Sequence, residues 1–169
     1  MAENLEMPER ESVRAPMQWA DLPAAGFSGA PEADLPRAIL RDGPFGYRKL
    51  NVEQQEADDA SLLNWMERAI RTRKEWPELG WGDWRVLGTR SAKALAHVAT
   101  WDGSSALAVH NFADAPVRIS VRLPEDAREG RWRHTFGARG ADVPEIIDGR
   151  LSCELPAYGY HWFGRRKLV

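Results

Sequence analysis

Residues 94–112, ALAHVATWDGSSALAVHNF, determine the fold expected for this chain. Two apolar-rich runs, predicted as strands at 94–101 and 105–112, flank the dipeptide Asp102–Gly103. An Asp-Gly pair between such runs is the sequence signature of a tight two-residue hairpin. The stretch therefore predicts an antiparallel pair of strands.

Short runs on both sides of this hairpin extend the same pattern. Turn-rich breaks such as NFADAP and LPEDAREG separate them. The additional predicted strands are 84–89, 117–123, 131–136, 150–155 and 158–164. Short strands at this spacing predict an antiparallel β-sandwich of about 90 residues.

Residues 61–76, SLLNWMERAIRTRKEW, predict the one long helix of the chain. Ser61 is a candidate N-cap, and Pro77 ends the helix after Trp76. One apolar stripe recurs at helical spacing and needs a surface to pack against. The stripe consists of Leu62, Leu63, Met66, Ala69 and Ile70.

Residues 1–58 differ from the rest because Pro and Gly interrupt them repeatedly and no periodicity is sustained. An irregular segment of this length is usually functional, or depends on another part of a protein for its shape. The predicted fold is therefore mainly β, with an irregular loop region and one long helix before a C-terminal antiparallel β-sandwich. The predicted domains are 1–79 and 80–169.

Composition excludes several classes of protein. The 23 Lys and Arg against 25 Asp and Glu give a net charge of −2, which argues against nucleic-acid binding. No stretch approaches the ~18 apolar residues of a membrane span, and the acidic start MAENLEMPERES does not fit a secretory signal. The single cysteine, Cys153, shares a strand face with Leu151 and Leu155 and is predicted to be a small buried hydrophobic residue. A cytoplasmic protein is expected.

Tryptophan is unusually frequent, with eight residues in the chain. Its indole ring suits hydrophobic cores and also stacks on the flat faces of sugars. Most of the eight lie on predicted helix or strand segments, so they are expected in the core. Trp19 is the exception, because it lies in the irregular region.

The motifs of a complete active site are missing. The carboxylates lie in the irregular region, on the helix surface or in turns, and none clearly ends a buried strand, where a catalytic acid would be held. The four histidines, His97, His110, His134 and His161, are isolated and lack metal-ligand spacing. There is no Gly-rich phosphate loop, GxSxG or CxxC motif. We therefore predict no catalytic residue, no metal ligand and no cofactor in this chain.

The loop VRAPMQW, residues 13–19, carries the best candidates for substrate binding. Arg14, Gln18 and Trp19 offer a charged fork, an amide and a flat apolar ring close together in sequence. A hydroxyl-rich ligand such as a sugar requires groups of these kinds. The alternative is a structural loop whose arginine binds a carboxylate elsewhere.

Residues 12–29, SVRAPMQWADLPAAGFSG, resemble the VRTPMQW…NAGFS loop of the α-amylase clan, in its oligo-1,6-glucosidase and trehalose synthase branch. The resemblance continues through GPFGYRKLNVEQQ and the helix at 61–76 to the closing phrase LPAYGYHWF. It therefore covers nearly the whole chain. There are two departures: Ala15 stands where Thr is usual, and LPAAGFSG replaces a more polar RNAGFS.

The resemblance implies a (β/α)8 barrel followed by a β-sandwich, and a glucosyl mutase or glycosidase acting on maltose or a related disaccharide. It makes residues 1–79 the loop after the eighth barrel strand together with the last barrel helix. Arg14 matches the family's arginine that faces the non-reducing glucose. The family's catalytic carboxylates lie on barrel strands upstream of this region, so the chain alone is expected to be inactive.

Two other interpretations stay open, a non-catalytic carbohydrate-binding sandwich and a relic without activity. A carbohydrate-binding sandwich needs exposed aromatic residues along one face, whereas the alternation groups Trp101 with Leu95 on a face that resembles core. The expected partners are an α-glucoside substrate in the context of a full barrel, and either a separate barrel chain or a second copy of this chain. No nucleic acid and no membrane is expected.

Overall fold

The computed structural model describes residues 14–138 and 142–167. The chain divides into two compact units between residues 68 and 69. We call the first, described from residue 14 to 68, the loop unit, and the second, from residue 69, the sandwich unit. The predicted domain boundary at 79/80 rests on the family resemblance and stays a prediction.

The sandwich unit consists of two antiparallel sheets whose apolar faces pack together. The larger sheet has the strand order β1-β2-β3-β8-β5 and the smaller has the order β4-β7-β6. The strands are β1 Asp83–Leu87, β2 Ala94–Trp101, β3 Ser104–Asn111, β4 Val117–Arg122, β5 Arg133–Gly137, β6 Ile146–Ile147, β7 Arg150–Leu155 and β8 Tyr160–Arg165. The predicted mainly β fold with an antiparallel sandwich is confirmed.

The turn Asp102–Gly103 joins β2 to β3, as the sequence predicts. Its two residues have φ of 46° and 75°, and a type I′ turn requires positive φ at both central positions. The resulting register pairs Val98 with Leu107, which brings apolar side chains of both strands to the inner face. The hairpin thereby supplies the centre of the larger sheet.

The core lies between the two sheets. The larger sheet contributes Ala96, Val98, Leu107, Val109 and Phe163, and the smaller contributes Val117, Ile119, Val121, Leu151 and Leu155. Alternation with a period of two sends these side chains to one side of each strand. Their burial stabilises the sandwich by ~25 cal/mol per Å² of apolar surface removed from water.

The prediction that Leu95 and Trp101 lie on a core-like face of β2 is wrong. These two residues do share a face, but it is the outer face of the larger sheet and both are exposed. The core face is the opposite one, which carries Ala96 and Val98. Both faces of β2 are apolar, so alternation alone does not identify the inner one.

The prediction that most tryptophans lie in the core is wrong, because four of the eight are exposed and three are half-buried. The exposed ones are Trp19, Trp81, Trp84 and Trp101. Trp76 is buried and packs directly on Gly164, where its ring occupies the space that a Cβ would need. A short helix, Glu78–Trp81, follows Trp76 and contacts β2 and β3. It is the third α-helix in the described part of the chain and is called α3.

The long helix α2, Leu62–Glu75, confirms the predicted helix. Ser61 caps it as predicted, because its Oγ accepts a hydrogen bond of 3.2 Å from the amide of Asn64. In the apolar stripe only Ala69 is buried, and the other four members are exposed. No helix in the described part of the chain is long and apolar enough to cross a membrane.

The loop unit contains more order than its sequence predicts. A short helix, α1 at Val52–Ala57, and turns at Pro23–Gly26 and Glu32–Asp34 lie in it. A small buried apolar cluster is formed by Ala25, Ile39 and Tyr47. Helix α1 escapes prediction because six residues are too few to establish a helical period.

Candidate functional site

The candidate binding residues Arg14, Gln18 and Trp19 lie at the start of the loop unit. Arg14 is exposed, Gln18 is half-buried, and the side chain of Trp19 is 49% exposed. Between them Pro16 is buried and Met17 is exposed. Arg14 and Trp19 therefore present side-chain surface to solvent, as a binding role requires.

Gln18 holds the loop in place. Its Nε2 donates hydrogen bonds to the carbonyl oxygens of Phe45, at 3.1 Å, and Leu50. A side-chain amide has two N–H donors, so both are used within the loop unit. Neither of these two bonds involves the carbonyl oxygen Oε1.

The main chain of this segment covers the beginning of helix α1. The amide of Val52 donates to the carbonyl of Gln18 and the amide of Glu53 donates to that of Trp19, both at 3.0 Å. The first N–H groups of a helix have no partner within it. Helix α1 therefore fixes the main chain at the two candidate residues.

Asn51 completes this arrangement as the N-cap of α1. It is buried, its Oδ1 accepts from the amide of Gln54 at 2.9 Å, and its Nδ2 donates to the carbonyl of Tyr47 at 2.8 Å. Asn51 is not among the residues predicted from the sequence. The signal was present, because Asn is a preferred N-cap residue.

The turn after Trp19 has an unusual backbone. Ala24, Ala25 and Gly26 have φ of 52°, 56° and 68°, a left-handed conformation that alanine adopts only at a cost. The carbonyl of Ala25 accepts hydrogen bonds from the amides of Trp19, at 2.9 Å, and Ala20. In LPAAGFSG, which stands where the family has RNAGFS, two alanines thus occupy positions with positive φ, a conformation that glycine adopts more easily.

A pocket of about 630 Å³ lies beyond this turn within the loop unit. Two ion pairs lie in its wall, Glu32 with Arg41 and Asp21 with Arg48. Arg14, Gln18 and Trp19 are not among its lining residues. The three predicted residues therefore share a stretch of chain but do not line this pocket.

The four histidines are isolated in sequence but paired in space within the sandwich unit. His134 Nε2 and His161 Nδ1 lie 3.1 Å apart, and the rings of His97 and His110 stack with centroids 6.5 Å apart. Antiparallel pairing of strands brings these residues together. The members of each pair lie on different strands, so their spacing in the sequence gives no sign of the contact.

Burial keeps these imidazoles neutral at pH 7. Burial, and then the neighbouring His134, lower the pKa of His161 to about 4. Burial lowers the pKa of His97, and burial together with His97 lowers that of His110. The pKa of His134 is also lowered, mainly by burial. Neutral imidazole offers one donor and one acceptor rather than a charge.

Cys153 faces the sandwich core as the sequence predicts, but it is half-buried rather than buried. It packs against the sandwich core between Leu151 and Leu155 on β7. Burial raises the pKa of its thiol to about 11, so that it stays protonated at neutral pH and is a poor nucleophile. Within residues 14–138 and 142–167, no group of three or more His, Cys, Asp and Glu is arranged to hold a metal ion.

Family comparisons assign both parts of the chain. Residues 1–82 match the α-amylase catalytic domain, and residues 103–164 match the sucrose hydrolase-like C-terminal domain. The trehalose synthase/amylase of Mycobacterium tuberculosis is 30% identical in an alignment 161 residues long that covers 92% of this chain and 26% of that protein.

Solved structures agree with these matches. The isomaltulose synthase of Klebsiella sp. LX3 is similar with a TM-score of 0.70 at 26% identity, over 94% of this chain and 26% of that one. A MutB variant in complex with its substrate sucrose has a TM-score of 0.69 at 25% identity, over the same shares. This chain thus spans about a quarter of the length of these relatives, and it belongs to the α-amylase family as a counterpart of the C-terminal portion of trehalose synthase-type enzymes.

Proposed function

We propose that this chain forms the substrate-facing loop and the C-terminal sandwich of an α-glucosyl mutase or glycosidase that acts on maltose or a related disaccharide. The observation that carries the proposal is an exposed Arg14 beside a loop whose main chain is bound to helix α1. The M. tuberculosis relative is a trehalose synthase/amylase, and the MutB relative takes sucrose as its substrate. Both are enzymes of disaccharides.

In this proposal Arg14 binds the sugar and Trp19 covers one side of it. The planar guanidinium presents several N–H donors in a rigid fork, which suits sugar hydroxyls and a neighbouring carboxylate together. The exposed indole of Trp19 offers a flat apolar surface to the sugar ring. Gln18 contributes mainly by holding the loop, with Oε1 as its available acceptor.

The catalytic carboxylates are proposed to lie on barrel strands upstream of the region that this chain resembles. Retaining glucosyl transfer needs a carboxylate nucleophile and an acid–base carboxyl about 5 to 5.5 Å apart on a rigid frame. No residue of this chain is assigned to either role. The chain alone is therefore proposed to be inactive.

The exposed stripe of helix α2 is proposed to pack against that barrel or, without one, against a second copy of the chain. Leu62, Leu63, Met66 and Ile70 leave apolar surface in water. Each Å² of such surface costs ~25 cal/mol when it is not covered. A contiguous patch of this kind favours association.

The test uses the full chain alone and a chimaera. In the chimaera, this chain replaces the matching C-terminal quarter of the M. tuberculosis trehalose synthase/amylase. Both are incubated with maltose, and glucose and trehalose are measured by chromatography. The chain alone should give no product above a buffer blank, and the chimaera should turn maltose over. Turnover by the pure chain, or a folded chimaera without activity, would contradict the proposal.

Arg14→Ala in the chimaera tests the binding role. Loss of one charge-assisted contact of about 3 kcal/mol should reduce kcat/KM by roughly 100-fold. Arg14→Lys should restore little, because an ammonium group cannot reproduce the fork. Arg118→Ala is the matched control, since Arg118 is an exposed arginine on β4 of the sandwich. Equal activity of Arg14→Ala and the unsubstituted chimaera would exclude Arg14 from the substrate site.

A further inference from the structure

A pocket with a cationic wall lies on the outer face of the larger sheet, within the sandwich unit. This pocket, which we call the basic pocket, has a volume of about 250 Å³ and lies where strands β5 and β8 pair. Its described lining residues are Trp76, Arg131, Arg133, Gly164, Arg166 and Lys167. Four of them are cationic and none carries a carboxylate, so the chemistry of the wall points to an anion.

The strand register brings the cations together. Arg133 on β5 pairs with Gly164 on β8, and side chains directly opposite each other in an antiparallel pair lie on the same face. Arg131 precedes Arg133 by two residues and Arg166 follows Gly164 by two, so the alternation continues to the same side of the sheet. Gly164 has no side chain there, and the ring of Trp76 occupies the space that a Cβ would need.

Arg166 is held in place by its neighbours. Its guanidinium carbon lies 4.0 Å from the centroid of the Trp76 ring, its Nη1 donates to Glu78 Oε1 at 3.2 Å, and its Nη2 donates to the carbonyl of Glu75. A guanidinium has five N–H groups, so three of them have no partner among the described residues. A fixed guanidinium with unused donors loses little conformational freedom when it binds an anion.

The other cations of the wall are poorly compensated. Arg131 and Arg133 are exposed, and neither side chain makes an ion pair or a hydrogen bond within the described part of the chain. Lys167 Nζ lies 3.7 Å from Asp102 in a pair that is largely exposed, and water weakens such a pair. The carboxylates bound to the four wall cations are those of Glu78 and Asp102, which leaves an excess of two positive charges.

Arg165 adds a further positive charge beside the basic pocket. Its side chain is 8% exposed and packs on Gly130. Its guanidinium donates to three main-chain carbonyls and to one hydroxyl, and to no carboxylate of the described residues. A buried charge without a counter-charge is costly. Because Arg165 lies between two lining residues in the chain, it strengthens the positive potential at the pocket.

We propose that the basic pocket binds a phosphate group, either free or as the monoester of a small molecule. Such a group carries close to two negative charges at pH 7, which matches the excess of two positive charges, and guanidinium groups bind its oxygens well. A neutral sugar fits poorly, because Gly164 and Arg166 cover the ring of Trp76. A long polyanion fits poorly, because about 250 Å³ is less than the ~300 Å³ of ordinary ligand pockets. The site is independent of the proposed role of Arg14.

The test is a titration of the full ¹⁵N-labelled chain with glucose 6-phosphate, followed by NMR. Ionic strength is held constant, because salt screens exposed charges. The main-chain amide signal of Gly164 should shift and saturate in the millimolar range, and glucose should leave it unchanged. Inorganic phosphate distinguishes the two sources of the group: equal or tighter binding than that of glucose 6-phosphate assigns the pocket to free phosphate, and weaker binding assigns it to a phosphate ester.

Substitutions of the exposed wall arginines test the contact itself. Arg131→Ala and Arg133→Ala should each weaken binding by about tenfold or more, because each removes a charge-assisted hydrogen bond. Arg122→Ala is the matched control, since Arg122 is an exposed arginine on β4 of the smaller sheet and does not line the pocket. It removes the same charge and should bind as the unsubstituted chain does. Arg166 is left unchanged, because its loss would leave the buried Glu78 unpaired.

Several results would overturn the proposal. They are the lack of a saturable shift of the Gly164 signal with either phosphate compound, an equal shift with glucose, and equal weakening by Arg133→Ala and Arg122→Ala. Binding of polyglutamate without a response to either phosphate compound would also overturn it, and would assign the pocket to an acidic segment of a protein partner. Circular dichroism checks that the variants, which replace exposed side chains, keep the fold.

Discussion

The sandwich unit and the loop unit are stabilised by different kinds of contact. In the sandwich, apolar side chains alternate along paired strands and contribute to one shared core. In the loop unit the buried apolar cluster is small. There the side-chain amide of Gln18 binds a main-chain carbonyl 27 residues away, and that of Asn51 binds the carbonyl of Tyr47, four residues away. A core is shared by many residues, whereas such a hydrogen bond has one donor and one acceptor. Local order in the loop unit therefore depends on a few polar side chains.

The largest expected effect is that of Leu107→Ala at the centre of the sandwich. Leu107 is fully buried on β3, so truncation removes its transfer free energy and leaves a cavity. The free energy of unfolding should fall by about 3 to 4 kcal/mol. Urea unfolding followed by circular dichroism measures this loss.

Leu95→Ala is the matched control, because Leu95 lies on the neighbouring strand with its side chain on the outer face. It should cost less than about 1 kcal/mol, as most substitutions outside a core do. A similar loss for both variants would show that the sandwich core does not lie between the two sheets.

The sandwich could be predicted because its signals are local and repeated. Strands β2 and β3 are short apolar-rich runs, and Asp102–Gly103 marks the turn between them. Asp148–Gly149 carries the same signal and also has positive φ at both residues. The strand before it, Ile146–Ile147, was nevertheless missed, because two residues are too short to show a period.

The candidate site was less predictable because its contacts are single hydrogen bonds between residues far apart in the sequence. Gln18 could be identified as a polar residue in a functional loop, but its bonds to Phe45 and Leu50 cross 27 and 32 residues of chain. The pairing of His134 with His161 likewise crosses 27 residues. Periodicity reports which residues share a face and carries no information on such single contacts.

Acidification should weaken the sandwich unit selectively. All four histidines lie in it, and burial lowers the pKa of each. Below pH 6.5 the unfolded chain takes up protons that the folded chain does not, so stability falls as the pH falls. For His161, with a pKa of about 4, the loss between pH 6.5 and 5 should be about 2 kcal/mol.

Urea unfolding at pH 7, 6 and 5 measures this slope, in a range where most carboxylates stay ionised. His161→Gln removes the titrating group and should reduce the slope relative to the unsubstituted chain. Amide exchange of the loop unit, corrected for the intrinsic effect of pH, should change little. Stability that is constant or rises from pH 7 to 5 would contradict the neutral state of these imidazoles.

The smallest expected effect, and the most local, is that of Asn51→Ala in the loop unit. The substitution removes the cap on the amide of Gln54 and the donor to the carbonyl of Tyr47, which together should cost about 1 to 2 kcal/mol. Amide exchange should speed up in helix α1 by roughly 5- to 30-fold, while the amides of β3 stay protected. Glu53→Ala is the control, because Glu53 is exposed on the first turn of the same helix. If Asn51→Ala leaves exchange in α1 unchanged, or speeds it equally in β3, single polar contacts do not set the order of the loop unit, and the contrast with the sandwich is wrong.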